Sequence, residues 1–293
     1  VKRDGKLLRI QARKAVVLAA GGFEHNQEMR EQYLPKPTDR RWSAGTKDNT
    51  GDAIREGLRL GAKMHRLDEA WWCNTISVPG EEIPRLSIME KSYPGSIMVN
   101  PAGQRFSNES QNYMAFQQET FAKHTEDNPC NPTWHIFDAN FRARYFVGPL
   151  YNSKFLPDWA VPKRYEAEGF FAKADSIAEL ARKINVNAAG LQDSVRKMND
   201  YARTGVDPDC HRGESAYDRY YGDPRVTPNP CLAPIDKPPY YAMKVDPGDF
   251  GTQGGMVINA DAQVLHEDGH VIEGLYAIGN CSAPTLPCYP GPG

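Results

Sequence analysis

The segment at residues 14–22 limits the fold of this chain more than any other. Its sequence, KAVVLAAGG, is an apolar run that ends in two glycines, which is typical of a buried strand whose end meets a ligand. Residues 274–280, GLYAIGN, form a second short apolar run that breaks at glycine. In α/β proteins the carboxyl ends of the strands expose backbone to bound ligands. The two segments therefore predict an α/β fold with a ligand site at their ends.

A polar, glycine-bearing loop at residues 45–52 follows the first of these strands. It leads into a predicted helix over about residues 52–59. Thr50 is the expected N-cap of this helix, and Asp52 suits its positive end.

The sequence changes in character between residues 71 and 236, where prolines, aromatic residues and short polar runs replace the α/β pattern. Two helices are predicted within residues 175–205, the first of them opened by a capping box. The α/β pattern returns after this stretch. The sequence therefore predicts one domain formed by residues 1–73 and 240–293, with a second domain, residues 74–239, inserted into it.

Composition excludes several classes of protein. The net charge of −2 over 293 residues gives no reason to expect a nucleic-acid partner. The longest strongly apolar run, residues 15–20, is far too short to span a bilayer, although peripheral membrane association stays open. The six cysteines form no CxxC pair and indicate free thiols in a reducing, cytoplasmic setting. The seven histidines show no zinc-ligand spacing, so no metal site is predicted.

The chain closes on YPGPG at residues 289–293. The two prolines carry no N–H, so past the tyrosine only the glycines can donate from the main chain. Such a turn can offer one phenol and one amide to a single carbonyl oxygen, as an oxyanion site does. The alternative interpretation is an ordinary proline-rich surface turn.

Eight motifs in order along the chain resemble the flavoprotein family of 3-ketosteroid Δ1-dehydrogenases, within the wider fumarate reductase/succinate dehydrogenase-type FAD superfamily. The resemblance covers essentially the whole chain. It implies an α/β, FAD-binding Rossmann-like domain, incomplete here, with an inserted α+β substrate and catalytic domain. The motifs are VVLAAGGF (16–23), GTKDNTGDA (45–53), GQRFSNES-x-x-Y (103–113), DPDCHRGESAYDRYYGDP (207–224), NPCLAPIDKPPYYA (229–242), DPGDFGTQGG (246–255), VIEGLYAIGN (271–280) and YPGPG (289–293).

The resemblance also implies roles for individual residues. Tyr113, which follows RFSNES, matches the family's tyrosine general base. Tyr289 and the Gly293 N–H match the pair that holds the C3 carbonyl oxygen of a 3-ketosteroid. The residues that match the family's FAD contacts are Ala20, Gly21, Gly22, Thr46, Asn49, Thr50, Gly51, Asp52, Gly279 and Asn280.

The implied reaction removes hydrogen from C1 and C2 of a 3-ketosteroid, a reaction of steroid metabolism and lipid degradation. Hydrogen bonds to the C3 oxygen acidify the C2–H, and Tyr113 as tyrosinate would take that proton. The flavin would accept the C1 hydrogen as hydride, and a quinone or another acceptor would then receive the electrons. A tyrosine ordinarily has a pKa near 10, so a tyrosine base needs help from neighbouring charges or hydrogen bonds.

Three alternatives stay open. A 3-ketosteroid Δ4-dehydrogenase would use the same tyrosine and flavin with a shifted substrate. A fumarate or urocanate reductase would need cationic clamps for carboxylates, whereas residues 279–293 contain no Arg, Lys or His. The family's N-terminal GxGxxG unit and the helix after YPGPG have no match here, so we expect a partial chain. Such a chain could be a fragment that holds no flavin.

Overall fold

The structure, a computed structural model, describes residues 2–286. Among these residues, no helix is long and apolar enough to cross a membrane. The helices are α1 (Gln27–Tyr33), α2 (Asp52–Arg59), α3 (Tyr113–Lys123), α4 (Ala139–Arg144), α5 (Lys163–Ala167), α6 (Ile177–Lys183), α7 (Ala188–Thr204) and α8 (Ala216–Tyr220), with 3-10 turns at Arg40–Trp42, Glu90–Ser92, Asp158–Ala160 and Gly279–Cys281. The strands are β1 (Lys2–Arg3), β2 (Lys6–Leu7), β3 (Val16–Leu18), β4 (Met64–His65), β5 (Ala70–Ile76), β6 (Arg85–Leu86), β7 (Ser96–Val99), β8 (Thr133–Asp138), β9 (Phe171–Ala174), β10 (Tyr240–Thr252), β11 (Gly255–Met256), β12 (Gln263–Leu265) and β13 (Val271–Ala277).

The described chain forms two compact units. The first unit comprises residues 2–34, 46–70 and 251–286, and the second unit comprises residues 35–45 and 71–250. These limits differ from the predicted domain limits at residues 35–45, 71–73 and 240–250. Residues 240–250 join the second unit because β10 pairs with β8, from Tyr240 opposite Asp138 to Val245 opposite Thr133. The domain assignment made from the sequence stays a prediction.

The first unit contains a sheet in the strand order β12-β13-β3. β12 and β13 form an antiparallel hairpin, and β13 runs parallel to β3. The predicted strand within residues 14–22 is present, but the prediction that it is buried was wrong. Val16 and Val17 are 47% and 56% exposed, because β3 is an edge strand of this sheet in the described part of the chain.

The second unit contains a sheet in the order β6-β5-β10-β8-β7, with β9 also paired to β10. Its strands bury side chains on both faces, since alternate residues of one strand point to opposite sides. In β7, Ile97 and Val99 pack in a cluster with α6 and α7, whereas Met98 packs in a second cluster with Phe137 and Met243. The sheet is therefore a layer between two apolar cores.

Local signals set the helix ends. α6 begins after Ser176, whose hydroxyl accepts from the Glu179 N–H at 3.2 Å, and α7 ends at Gly205 with φ +77°. These two helices confirm the prediction for residues 175–205. The predicted N-cap of α2 was wrong: Gly51, with φ +80°, occupies that position instead of Thr50. A left-handed cap favours glycine, which has no Cβ to clash.

Candidate functional site

The carboxyl ends of β3 and β13 lie side by side in the first unit. The parallel register places Leu275 opposite Val16 and Ala277 opposite Leu18, and the Ile278 N–H donates to the Leu18 carbonyl at 3.0 Å. Ligands of α/β sheets bind outside the carboxyl ends of such strands. The pairing therefore brings the predicted ligand segments at 19–22 and 278–280 to one edge.

Gly279 is the most open of the predicted cofactor-binding glycines. Its φ is +67°, it is exposed, and a Cβ built there would meet nothing within 4 Å. The backbone after β13 can therefore be approached closely by a ligand. Asn280, the next residue, is half-buried within the 3-10 turn that follows.

Gly21 and Gly22 are required by packing within the chain itself. A Cβ on Gly21 would overlap the Asn49 side chain, and a Cβ on Gly22 would overlap the Thr252 hydroxyl. That hydroxyl accepts from the Phe23 N–H at 3.0 Å. The two glycines thus let the end of β3 lie directly against residues 46–51 and the end of β10.

Glu24 holds this arrangement together, and the sequence analysis did not single it out. Its carboxylate is fully buried, accepts from Asn49 Nδ2 at 2.5 Å, and accepts from the Thr252 N–H at 3.3 Å. The Gly51 N–H donates to the Gly22 carbonyl at 3.0 Å. The glycine pair and the polar loop are therefore one hydrogen-bonded substructure.

The predicted cofactor residues of the first unit fit a nucleotide cofactor by their chemistry. Thr46 and Asp52 are exposed, Asn49 and Thr50 are half-buried, and all four offer polar side chains. α2 begins after its N-cap Gly51 and has no side-chain cap, and the start of a helix favours an anion such as a phosphate. The structure brings the loop to the end of β3, while Ala20 lies exposed just before the glycine pair.

Tyr113 is the first residue of α3 in the second unit. The side chain of Asn112 caps this helix by accepting from the Ala115 N–H at 2.9 Å. Tyr113 is 8% exposed, and its ring centroid lies 6.0 Å from that of Phe250. The predicted base therefore sits on a defined helix start and is held on one side by an aromatic ring.

The RFSNES segment before Tyr113 forms a buried ion network. Arg105 donates to both Glu109 carboxylate oxygens, at 2.8 and 2.7 Å, and also to Asp207 at 2.8 Å. Arg212 approaches the same Glu109 carboxylate at 3.2 Å. Burial acts to raise the pKa of Glu109, but the charge and hydrogen bonds of Arg105, with the charge of Arg212, outweigh it and lower the pKa to about 2.

Lys91 is a buried ammonium group that the sequence analysis missed. It donates to the carbonyls of Glu109 at 2.8 Å and Gln111 at 2.5 Å, and its Nζ lies 5.3 Å from the Phe116 ring centroid. Burial lowers its pKa to about 7. Together with the Glu109 network, Lys91 fixes the backbone immediately before Asn112, so the position of Tyr113 is set by distant segments of the chain.

Two predicted catalytic residues, Tyr289 and Gly293, lie outside the described residues.

The five described cysteines, at positions 73, 130, 210, 231 and 281, are free thiols. Cys281 is buried and directs its thiol at the Leu18 carbonyl, 3.1 Å away. It therefore packs between the ends of β3 and β13.

Comparison with known proteins identifies the family of this chain. The chain belongs to the FAD binding domain family, which it matches over residues 1–293. Membership of that family confirms the predicted cofactor, FAD, and the predicted α/β class of fold.

Individual relatives give a more specific comparison than the family match does. The chain is 43% identical over 289 residues to the 3-oxosteroid 1-dehydrogenase of Mycobacterium tuberculosis, a match that covers 97% of this chain and 50% of the relative. It therefore spans about half the length of the curated relatives it matches. A 3-ketosteroid Δ1-dehydrogenase from Sterolibacterium denitrificans, solved with 1,4-androstadiene-3,17-dione, is 48% identical with a TM-score of 0.91, covering 96% of this chain and 50% of that one. The 3-ketosteroid Δ4-(5α)-dehydrogenase of Rhodococcus jostii is 25% identical with a TM-score of 0.61, covering 96% and 49%.

Proposed function

We propose that this chain is part of an FAD-dependent 3-ketosteroid dehydrogenase that introduces a double bond between C1 and C2 of the steroid A ring. The observation that carries the proposal is the close likeness to the Sterolibacterium Δ1-dehydrogenase, at 48% identity and a TM-score of 0.91. A quinone or another acceptor would receive the electrons. A cytoplasmic setting, with peripheral membrane association left open, belongs to the same proposal.

The substrate half of the chemistry rests on three residues. Tyr113 takes the C2 proton as general base, and the Tyr289 hydroxyl and Gly293 N–H donate hydrogen bonds to the C3 oxygen. One such donor stabilises a developing enolate by about 3 kcal/mol in comparable sites. The buried network of Arg105 and Glu109 supports this assignment, because a general base must be held at a fixed distance from the proton that it removes.

The cofactor half rests on the edge formed by β3, β13 and the 46–52 loop. The candidate contacts there are the residues predicted from the sequence: Ala20, Gly21, Gly22, Thr46, Asn49, Thr50, Gly51, Asp52, Gly279 and Asn280. Bound FAD supplies a hydride acceptor for the C1 hydrogen. The open backbone at Gly279 and the start of α2, which has no side-chain cap, support this assignment, since a ligand can approach the first closely and a helix start favours a phosphate.

Two other functions remain as outcomes of the test. A Δ4-dehydrogenase would use the same tyrosine, but the likeness to the Rhodococcus Δ4 enzyme, at 25% identity and a TM-score of 0.61, is much weaker. A chain that binds no flavin would be a non-catalytic fragment. The visible absorption spectrum of the purified protein separates this last case, because bound flavin absorbs and an empty chain does not.

The direct experiment incubates the flavin-containing protein and a dye acceptor with androst-4-ene-3,17-dione or, in a parallel reaction, with its 5α-saturated analogue, and then locates the new double bond in each product. A C1–C2 double bond is expected. A double bond formed only from a 5α-saturated substrate at C4–C5 would favour the Δ4 alternative. Absence of turnover with every 3-ketosteroid tried would overturn both.

The assignment of the base is tested with Tyr113→Phe, which keeps the ring and removes the hydroxyl. Loss of a general base lowers kcat by roughly 10²- to 10⁴-fold, with flavin content unchanged. Tyr165→Phe is the matched control, because Tyr165 is a similarly buried tyrosine of the second unit, 6% exposed, and should keep the parent kcat. Equal rates for the two variants would exclude Tyr113 as the base.

A further inference from the structure

The turn of the β12–β13 hairpin brings together three metal-ligating side chains that the proposed function does not use. The ligand atoms of His266, Asp268 and His270 all lie within 4.8 Å of one another. The spacing His-x-Asp-x-His is not a helical zinc pattern, which is why the sequence alone predicts no metal there. The hairpin creates the cluster by placing residues 266 and 270 opposite each other.

The backbone of the turn fixes this arrangement. The His266 N–H donates to the His270 carbonyl at 2.8 Å, and the Gly269 N–H donates to the His266 carbonyl at 2.9 Å. Gly269 has φ +90°, as a tight hairpin turn requires. The two imidazoles stack with centroids 4.5 Å apart and planes 21° from parallel, because opposite residues of a hairpin share one face.

Gly61, two residues after the end of α2, also fixes the position of His266. A Cβ on Gly61 would overlap the His266 Nε2, so the glycine at this position leaves room for the imidazole ring. The Glu267 N–H donates to the Gly61 carbonyl at 2.9 Å. The Nε2 side of the ring is therefore occupied, and Nδ1 is the ligand atom that remains on the side of Asp268.

His266 Nδ1 lies close to two groups of Asp268. The Asp268 carboxylate oxygen lies 3.2 Å from Nδ1, and the Asp268 N–H also lies 3.2 Å from it. An imidazole nitrogen has a single lone pair, so an ion bound at Nδ1 would take the place of the Asp268 N–H. Nδ1 and the Asp268 carboxylate oxygen would then each give an electron pair to that ion.

We propose that His266, Asp268 and His270 bind a Zn²⁺ ion at the tip of the β12–β13 hairpin. Two imidazoles and one carboxylate are a donor set that suits zinc, with water as a fourth ligand. Zn–N and Zn–O bonds of about 2.1 Å put neighbouring tetrahedral ligands about 3.4 Å apart, close to the 3.2 Å between Nδ1 and the Asp268 oxygen. His270 is exposed and free to close the remaining gap.

The test titrates zinc chloride into the purified, flavin-containing protein in a non-chelating buffer, followed by calorimetry. One ion per chain is expected. Asp268→Asn and His270→Gln should each weaken binding at least about tenfold, since even outer-shell changes at metal sites have effects of that size. Both side chains are exposed, so circular dichroism and the thermal midpoint without zinc should stay as in the parent.

His211→Gln is the matched control. His211 is also an exposed histidine beside a carboxylate, with Nδ1 3.1 Å from Glu214, but no third ligand accompanies it among the described residues. Its removal should leave zinc affinity within about twofold. Zinc should also raise the thermal midpoint of the parent and not that of Asp268→Asn. No zinc binding by the parent, or equal binding by all three variants, would overturn the proposal, whatever the result of the steroid assay.

Discussion

The buried Glu109 carboxylate offers a quantitative test of what holds the start of α3. Glu109→Gln keeps the shape of the side chain and removes its charge, leaving Arg105 and Arg212 buried without that counterion. A pKa lowered from 4.5 to about 2 corresponds to about 3 kcal/mol of native-state preference for the carboxylate. Breaking a buried ion pair by removing one partner destabilises proteins by about 3–5 kcal/mol. We therefore expect a loss of about 3 kcal/mol or more at pH 7, measured by urea unfolding.

The stability that Glu109 contributes should depend on pH in the direction set by its lowered pKa. The folded pKa of Glu109 lies below its ordinary value, so its stabilisation is complete above about pH 4.5 and is lost as the pH falls through about 2. Unfolding of the parent should therefore become easier over this range, whereas Glu109→Gln should lack that part of the slope. Urea unfolding at constant ionic strength between pH 2.5 and 7 measures both.

Glu81→Gln is the matched control for this experiment. Glu81 and Arg85 also form a two-bond pair four residues apart, at 2.9 and 2.6 Å, but their side chains are 33% and 41% exposed. Exposed pairs contribute about 1 kcal/mol or less. If the two variants lose equal stability, the reasoning that burial gives the Glu109 network its strength is refuted.

Two further changes test the candidate cofactor residues of the first unit and the start of α3 in the second unit. Gly22→Ala forces the Thr252 hydroxyl away from the Phe23 N–H, so we expect a loss of about 1–3 kcal/mol and a lower flavin-to-protein ratio by absorbance; full flavin content at unchanged stability would contradict this. Asn112→Ala removes the cap of α3 and Asn187→Ala the equivalent 2.9 Å cap of α7. Each should lose about 1 kcal/mol in urea unfolding, but only Asn112→Ala should slow steroid turnover, and equal turnover would count against the cap as a positioning contact.

Elements with strong local signals could be predicted from the sequence, and elements defined by distant partners could not. The hairpin turn at Asp268 and Gly269 and the capped helix α6 are encoded by a few neighbouring residues. The length of β10 was not predicted, because its sequence contains Pro247 and Gly248, which ordinarily interrupt strands. Gly248 is used there because a side chain would overlap the Trp42 carbonyl, a contact that no local pattern reveals.

The candidate site residues divide in the same way, into those that a local motif reveals and those that only the fold reveals. Tyr113 and the glycine pair were found because they lie in continuous motifs. Lys91 and Glu24 were missed, since a single lysine or glutamate in a sequence is ordinarily a solvated side chain. Only the fold shows that each is buried and bound to backbone or side-chain groups from other segments.

The RFSNES motif, although it carries much of the family likeness, reports on positioning more than on substrate choice. Arg105 and Glu109 bind each other, and Asn108 donates to Asp218 at 2.9 Å. Because these side chains form hydrogen bonds with other residues of the chain, the motif fixes the position of Tyr113. It cannot by itself decide whether C1–C2 or C4–C5 of a steroid lies beside the tyrosine. Under the proposed function, that choice depends on where the ketone oxygen is held. Replacing residues 289–293 with the corresponding segment of a Δ4-dehydrogenase should therefore change the position of the new double bond more than any substitution within RFSNES.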